Sequence, residues 1–116
     1  MIESIPQFLN GVYTFEGAGY DKVEPLSDRL VYIVPADRRA QLIYLRAGNS
    51  SSELVYLVLM RDGVPMRYFP LGARAAEHVS LAVVEDLAPD TRLELFYAAP
   101  AGVSGSFVID IGLLEI

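Results

Sequence analysis

Short apolar segments, separated by turn-forming residues, limit the folds that this chain can adopt. Segments rich in Val, Ile, Leu, Tyr and Phe recur about every ten residues, with Gly, Pro, Asp, Asn and Ser between them. No segment keeps a 3.6-residue period, although 71–78 and 85–90 are each compatible with one helical turn. The pattern therefore predicts an all-β, antiparallel two-sheet sandwich of about eight strands. The segments predicted as strands are 11–16, 29–34, 40–46, 53–60, 64–69, 78–84, 92–98 and 106–116.

Length, charge and residue usage exclude several classes of protein. The 116 residues correspond to one domain, 1–116, and the absence of Cys excludes disulfides and thiolate metal sites. A net charge of -6 with scattered basic residues argues against nucleic acid as a partner. The N-terminal segment lacks the features of a signal peptide, and no run approaches the ~20 apolar residues of a membrane span. We therefore expect a cytoplasmic protein with no membrane partner.

One turn is well marked by its residues. Asp62 and Gly63 lie between two strand-like segments, and both residue types tolerate positive φ, so a tight hairpin is predicted to join 53–60 to 64–69. Pro65 has no amide donor, which indicates an edge strand or a bulge at that point.

Two segments are apolar on both faces. In 53–60 and 29–34 apolar side chains occupy consecutive positions, whereas a two-layer sandwich buries only the inner face of each sheet. The hydrophobic fraction of 53% and the mean hydropathy of +0.34 are also high for a small monomer. These features predict that a second copy covers part of the surface, in a homo-oligomer that is most simply a dimer.

The order of strands and turns from Ala40 to Ile116 resembles that of galactose-binding-like β-sandwiches, notably carbohydrate-binding modules. The stretches that carry the resemblance are AQLIYLRAGNSSSELVYLVLMRDGVPM, VVEDLAPDTRLELFYA and GSFVIDIGLLEI. The resemblance implies a jelly-roll fold and a non-catalytic role in binding a carbohydrate-like ligand. No Trp is present, so the side chains near loops that can stack on a sugar are Tyr13, Tyr20 and Tyr68.

The ligand-binding candidates lie on the predicted hairpin and on the strand before it. They can bind an anion or a sugar, or they can instead keep an edge hairpin soluble and discourage strand addition. The candidate residues are Arg46, Asn49, Arg61, Arg67 and Tyr68.

Asp110 is a carboxylate within the otherwise apolar last strand. The resemblance implies a structural calcium ion at this Asp, with Glu16 as a partner, although calcium needs six to eight oxygen ligands. Alternation places Phe107 and Ile109 on the inner face, so the simpler interpretation is that Asp110 faces solvent or pairs with an Arg.

Three functions remain open. The leading hypothesis is a non-catalytic, self-associating module that binds a small polar or carbohydrate-like ligand or a protein partner, with no cofactor. The alternative is an assembly protein that acts through an exposed apolar sheet face. A small metal-dependent enzyme is the third; His78 is the only histidine and adjoins Glu77, but adjacent strand residues point to opposite faces.

Overall fold

A computed structural model describes the backbone of residues 3–116 and the side chains of residues 3–81 and 85–116. It has two antiparallel sheets, which confirms the predicted all-β sandwich. None of the described residues forms a helix with the length and apolarity that a membrane crossing requires. The strands in the described backbone are β1 Ile5–Glu16, β2 Glu24–Pro25, β3 Val31–Ile33, β4 Ala40–Asn49, β5 Val55–Arg61, β6 Val64–Leu71, β7 Ala76–Leu87, β8 Arg92–Ala98 and β9 Ser104–Glu115.

The strand order is that of a jelly roll. One sheet, here called the four-stranded sheet, has the order β1-β9-β4-β7. The five-stranded sheet has the order β2-β8-β5-β6, and β3 pairs with β8 as well. Because β2 and β3 both pair with β8, they act as one interrupted strand, and the fold then has the eight strands of a jelly roll.

The core lies between the two sheets and follows the alternation of the strands. On β9, Phe107, Ile109 and Ile111 are buried, so Asp110 points to the outer face as predicted. On β8 the inner residues are Leu93, Leu95 and Tyr97, as the alternation of that segment predicts. Other fully buried core residues are Leu30, Val34, Ala40, Leu42, Leu45, Val55, Leu57, Leu59, Leu71 and Leu87.

The β5–β6 hairpin confirms the predicted turn. Asp62 and Gly63 both have positive φ, at 51° and 80°. The Asp62 carboxylate also accepts a hydrogen bond from the Arg92 amide at 2.8 Å, which ties the turn to β8. The register of β5 with β6 shifts by one residue at Met66, next to Pro65, and β6 is an edge strand.

Several strand bounds differ from the sequence-based expectations, and three differences are the largest. β1 begins at Ile5 instead of Gly11, because the twelve-residue strand β9 offers pairing partners as far as Glu115. β2 was not predicted, since two residues carry no alternation. Segments 71–78 and 85–90 form strand ends and turns instead of helical turns, with positive φ at Arg74 and Asp90.

The outer face of β5 is covered by neighbouring side chains of the same chain. Val58 is fully buried there, although it points away from the core. Its cross-strand partners are Tyr68 and Phe96, which flank it on both sides. The apolar character of 53–60 on both faces is thus largely accommodated within one chain, and self-association through this face stays a prediction.

Candidate ligand-binding site

A row of polar side chains crosses the outer face of the four-stranded sheet. Asn10 of β1 is paired with Asp110 of β9, and Asp110 is paired with Arg46 of β4. Arg46 is paired in turn with His78 of β7. Because paired residues of an antiparallel sheet point to the same face, these four side chains form one line across all four strands.

Two further rows flank this polar row. One contains Val12, Val108, Gly48 and Ala76, and is apolar throughout. The other contains Phe8, Gly112, Tyr44 and Ser80.

Tyr44 fixes the position of the carboxylate at the centre of the face. Its ring lies against the backbone of Gly112, and its Oη donates a hydrogen bond to Oδ1 of Asp110 at 3.1 Å. Partial burial, together with the hydrogen bond and the negative charge of Asp110, raises the pKa of Tyr44 above its ordinary value. The phenol therefore stays protonated at neutral pH and keeps donating to the carboxylate.

The ring of Tyr44 also contacts the two basic side chains of the row. The Arg46 Cζ lies 5.4 Å from the ring centroid, within the range of a cation–π contact. The His78 ring stands edge-on to Tyr44, with centroids 5.9 Å apart. Among the described side chains, none of the ion pairs involves Arg46, His78 or Asp110.

A shallow hollow of about 590 Å³ lies beside this row, between β9, β4 and β7. Its floor is open because Gly48 has no side chain: a β-carbon there would lie 3.8 Å from Val108 Cβ and 3.9 Å from Ala76 Cβ. We call it the β4–β9 hollow. It is lined by Arg46, Ala47, Gly48, Ala76, Glu77, His78, Val108 and Asp110.

The hollow combines an apolar floor with a hydrogen-bond acceptor and a hydrogen-bond donor at one side. The Asp110 carboxylate accepts hydrogen bonds, whereas the Arg46 guanidinium donates them. Such a surface can hold a ligand that has an apolar face and several hydroxyl groups.

Two of the predicted ligand-binding residues lie on β4, but only one faces the hollow. Arg46 lines it, whereas the Asn49 side chain turns inward and is 4% exposed. Its Nδ2 donates to the carbonyls of Glu53 and Gly72 at 2.9 Å and 3.0 Å, and its Oδ1 accepts from the Ser51 amide. Asn49 therefore stabilises a loop and has no free group to offer a ligand.

The other three predicted residues belong to the five-stranded sheet. Arg61 lies at the end of β5, next to the hairpin turn. Arg67 forms an ion pair with Glu85 at 3.2 Å, and the ring of Tyr68 packs 6.0 Å from that of Tyr56 on the outer face. The structure does not bring the five predicted residues into one site.

The predicted calcium pair is also separated. Glu16 is paired with Ser104 and Asp110 with Asn10, six positions apart on the same strands. At ~3.4 Å per residue this is about 20 Å, which one ion cannot bridge. Among the described residues there is also no group of three or more His, Asp and Glu side chains that could hold a metal ion. The calcium site and the metal-dependent enzyme therefore have no support in the geometry.

Sequence reasoning identified Asp110 and Arg46 but missed Tyr44, Gly48 and Val108 as parts of one site. His78 was noted as the only histidine, without a partner. A bulge at Ile43 shifts the register between Leu42 and Tyr44, and so moves Tyr44 to the outer face. Simple alternation from Leu42 would place Tyr44 in the core, so no sequence signal pointed to it.

Comparison with solved structures places this fold among known proteins. The crystal structure of PirA is similar, with a TM-score of 0.61 and 11% identity, over 89% of this chain and 93% of PirA. The insecticidal delta-endotoxin Cry8Ea1 from Bacillus thuringiensis gives a TM-score of 0.49 and 11% identity, over 89% of this chain and 19% of that protein. No protein family and no curated protein matches the sequence.

These likenesses concern architecture. The chain is a jelly-roll β-sandwich protein, and its arrangement of strands is similar to that of PirA. At 11% identity the likeness shows the fold alone. The galactose-binding-like resemblance is supported only as far as the two-sheet fold.

Proposed function

We propose that the protein is a non-catalytic binding module that holds a small, polyhydroxylated, carbohydrate-like ligand in the β4–β9 hollow. The observation that carries this proposal is the Asp110 carboxylate, which Tyr44 orients beside an apolar floor and next to Arg46.

The chemistry of a sugar matches the two sides of the hollow. Vicinal hydroxyl groups donate to a carboxylate, and Arg46 can donate to a ring or hydroxyl oxygen. The C–H face of the ring packs on Val108 and Ala76, above the open floor at Gly48. Because Tyr44 donates to Oδ1, we expect Oδ2 of Asp110 to accept the hydrogen bonds of a ligand.

The arrangement favours binding over catalysis. Arg46 of β4 lies between Asp110 of β9 and His78 of β7, so two strand spacings, about 10 Å, separate the backbones that carry the carboxylate and the imidazole. The carboxylate accepts its hydrogen bond from Tyr44, and among the described side chains no hydrogen bond joins Asp110 to His78, as an acid–base pair would require.

The test is titration of a panel of mono- and disaccharides, followed by NMR mapping of the perturbed amides. We expect binding to perturb residues of the hollow, and Asp110→Asn to weaken it at least about tenfold, because a charged acceptor is lost. The matched control is Asp37→Asn, at an exposed turn far from the hollow, which should bind as the wild type does. A panel without binding, or shifts elsewhere on the surface, would refute the proposal.

Assembly is a second candidate function, favoured by one specific observation. The outer face of the four-stranded sheet also carries exposed apolar side chains toward its β1 edge. Phe8 is 56% exposed and Val12 is 67% exposed, although both lie in the middle of a strand.

A further inference from the structure

β1 is an unprotected sheet edge. In the described part of the chain it pairs with β9 on one side, and no strand pairs with its other side. Its register with β9 runs without a bulge over twelve residue pairs. Natural edge strands are commonly protected by charged side chains, bulges or shortness, because free amides and carbonyls can pair with another chain.

The sequence of β1 adds little protection, because Pro6 is its one residue of a protective kind between Ile5 and Phe15 and lies near the end of the strand. The stretch IPQFLNGVYTF, from Ile5 to Phe15, contains no charged residue. Its outward side chains include Phe8, Asn10 and Val12, at alternate positions on one face. The edge therefore has both free backbone groups and exposed apolar side chains beside them.

The geometry points to a second copy of this chain as the occupant of that edge: β1 pairs antiparallel with β1 of the second copy, about a two-fold axis at Asn10. In such a pair, Asn10 lies opposite Asn10 of the other copy. Phe8 lies opposite Val12 of the other copy, and the two-fold symmetry repeats this contact, so the interface contains two Phe8–Val12 pairs. Directly opposite side chains have β-carbons about 5 Å apart, so both apolar pairs are in contact.

The register is selected by the side chains. The outer faces of the two copies lie on the same side of the joined sheet only when the two-fold axis passes through a residue of β1, so the alternative registers place the axis at other residues of this strand. An axis at Val12 sets Phe8 opposite Glu16, and an axis at Phe8 sets Val12 opposite Ser4. An axis at Leu9 sets Phe8 opposite Asn10, and an axis at Gly11 sets Phe8 opposite Thr14. Of these five axes, only the one at Asn10 gives both Phe8 and Val12 an apolar partner.

Two details of the edge are compatible with this pairing. Tyr13 Oη donates to the Asn10 carbonyl at 2.7 Å, but a carbonyl oxygen has two lone pairs and can accept a second hydrogen bond. Pro6, which has no amide, lies opposite Thr14 near the end of the paired stretch, so its missing donor removes little from the ladder.

The pairing also aligns the two polar rows. The four-stranded sheets join into one eight-stranded sheet, and Asp110 lies three strand spacings, about 14 Å, from Asp110 of the second copy. If the proposed function holds, the dimer carries two hollows on one continuous face, which would suit a repetitive polysaccharide.

The mass of the full chain in solution tests the pairing directly. We expect analytical ultracentrifugation across a concentration series to show a dimer, and Val12→Lys to remove it, because the substitution sets a charge opposite Phe8. The matched control is Val108→Lys. Val108 is the cross-strand partner of Val12 and is also exposed, but it lies on β9, away from the edge. It should leave the dimer intact, and thermal melting of each variant checks that it is folded.

Three results would overturn the proposal. The first is a monomer at every concentration. The second is loss of the dimer in both variants, which would mean that whole sheet faces stack, and the third is loss in neither variant, which would mean that the copies associate through another surface.

A cross-link gives a second measurement, because the chain has no Cys. We expect Asn10→Cys to form a disulfide-linked dimer on oxidation and Phe8→Cys to form none, since Phe8 lies opposite Val12 and not itself. Sugar titration is independent of mass, so Val12→Lys should keep ligand affinity for a single site even if the dimer is lost.

Discussion

The ring of Tyr44 occupies the space where a side chain at position 112 would lie: a β-carbon on Gly112 would be 2.1 Å from Cε2 of the ring. The glycine on β9 and the tyrosine on β4 are direct cross-strand partners. The hydrogen bond from Tyr44 to Asp110 therefore depends on the absence of a side chain at Gly112.

This contact predicts the effect of Gly112→Ala. The added methyl must displace the ring, so we expect the free energy of unfolding to fall by about 1–3 kcal/mol, as for other overpacked positions. Urea denaturation measures the change. Sugar affinity should fall as well, because Asp110 loses the donor that orients it. Unchanged stability would mean that the ring does not lie over Gly112.

Gly48→Ala is the matched substitution on the neighbouring strand. Its β-carbon would meet Val108 and Ala76 at ordinary contact distances of 3.8 Å and 3.9 Å. We expect stability to stay within about 0.5 kcal/mol of the wild type or to rise slightly. The methyl nevertheless raises the floor of the hollow, so ligand affinity should drop. A variant that binds sugar as well as the wild type would place the ligand elsewhere.

The elements of the fold were largely predictable from local patterns. Alternation along β8 and β9 indicated which side chains enter the core, including Leu95 and Ile109, and the Asp62-Gly63 pair predicted the hairpin. Period-2 alternation and turn chemistry act over a few residues, so a single sequence contains them. β2 was not predicted because two residues have no period. The first half of β1 was not predicted because its pairing with β9, which local patterns do not show, stabilises it despite Pro6 and Asn10.

The site was predictable only one residue at a time. Asp110 and Arg46 were identified as polar side chains on strands, but their pairing depends on the register between strands distant in sequence. Tyr44 and Asp110 are 66 residues apart, and the bulge at Ile43 reverses the face that alternation assigns to Tyr44. Local propensities do not determine a register of this kind, which follows from packing of the whole sandwich.

A half-buried tyrosine that donates to a buried carboxylate makes stability depend on alkaline pH. Tyr32 donates a hydrogen bond to the carboxylate of Glu115, which is 4% exposed. Burial, followed by the hydrogen bond and the charge of Glu115, raises the pKa of Tyr32 above its ordinary value. Since the folded state holds this proton more tightly than the unfolded state, its stabilising contribution is complete below about pH 10 and is lost as the pH rises further.

We therefore expect the free energy of unfolding to decrease above about pH 10, and to decrease less steeply in Tyr32→Phe. The substitution should also lower stability at neutral pH by about 1–3 kcal/mol, because it leaves Glu115 without its phenol donor. Tyr68→Phe is the control, since Tyr68 is 60% exposed. Equal alkaline slopes in Tyr32→Phe and the wild type would contradict this assignment. Denaturant unfolding at a series of pH values measures both.

Asn49 is predicted to matter for stability and not for binding. Its side chain joins the end of β4 to the carbonyls of Glu53 and Gly72, so Asn49→Ala leaves two partly buried acceptors without this donor. We expect a loss of about 1–3 kcal/mol in unfolding free energy with unchanged sugar affinity. Ser52→Ala, in the same loop but exposed, should have little effect on either. A selective loss of affinity in Asn49→Ala would restore this residue as a ligand contact.

The position of β9 also determines when the sandwich can fold. β9 lies between β1 and β4, yet it follows every other described strand along the chain. While a ribosome is still adding residues 104–115, β1 has no neighbour, and the inner side chains of β4 lack the strand beside them. The sheet can close only after these residues have emerged from the ribosome. Topologies in which the first strand pairs with the last one have many contacts between residues distant in sequence, and such proteins are among the slow folders.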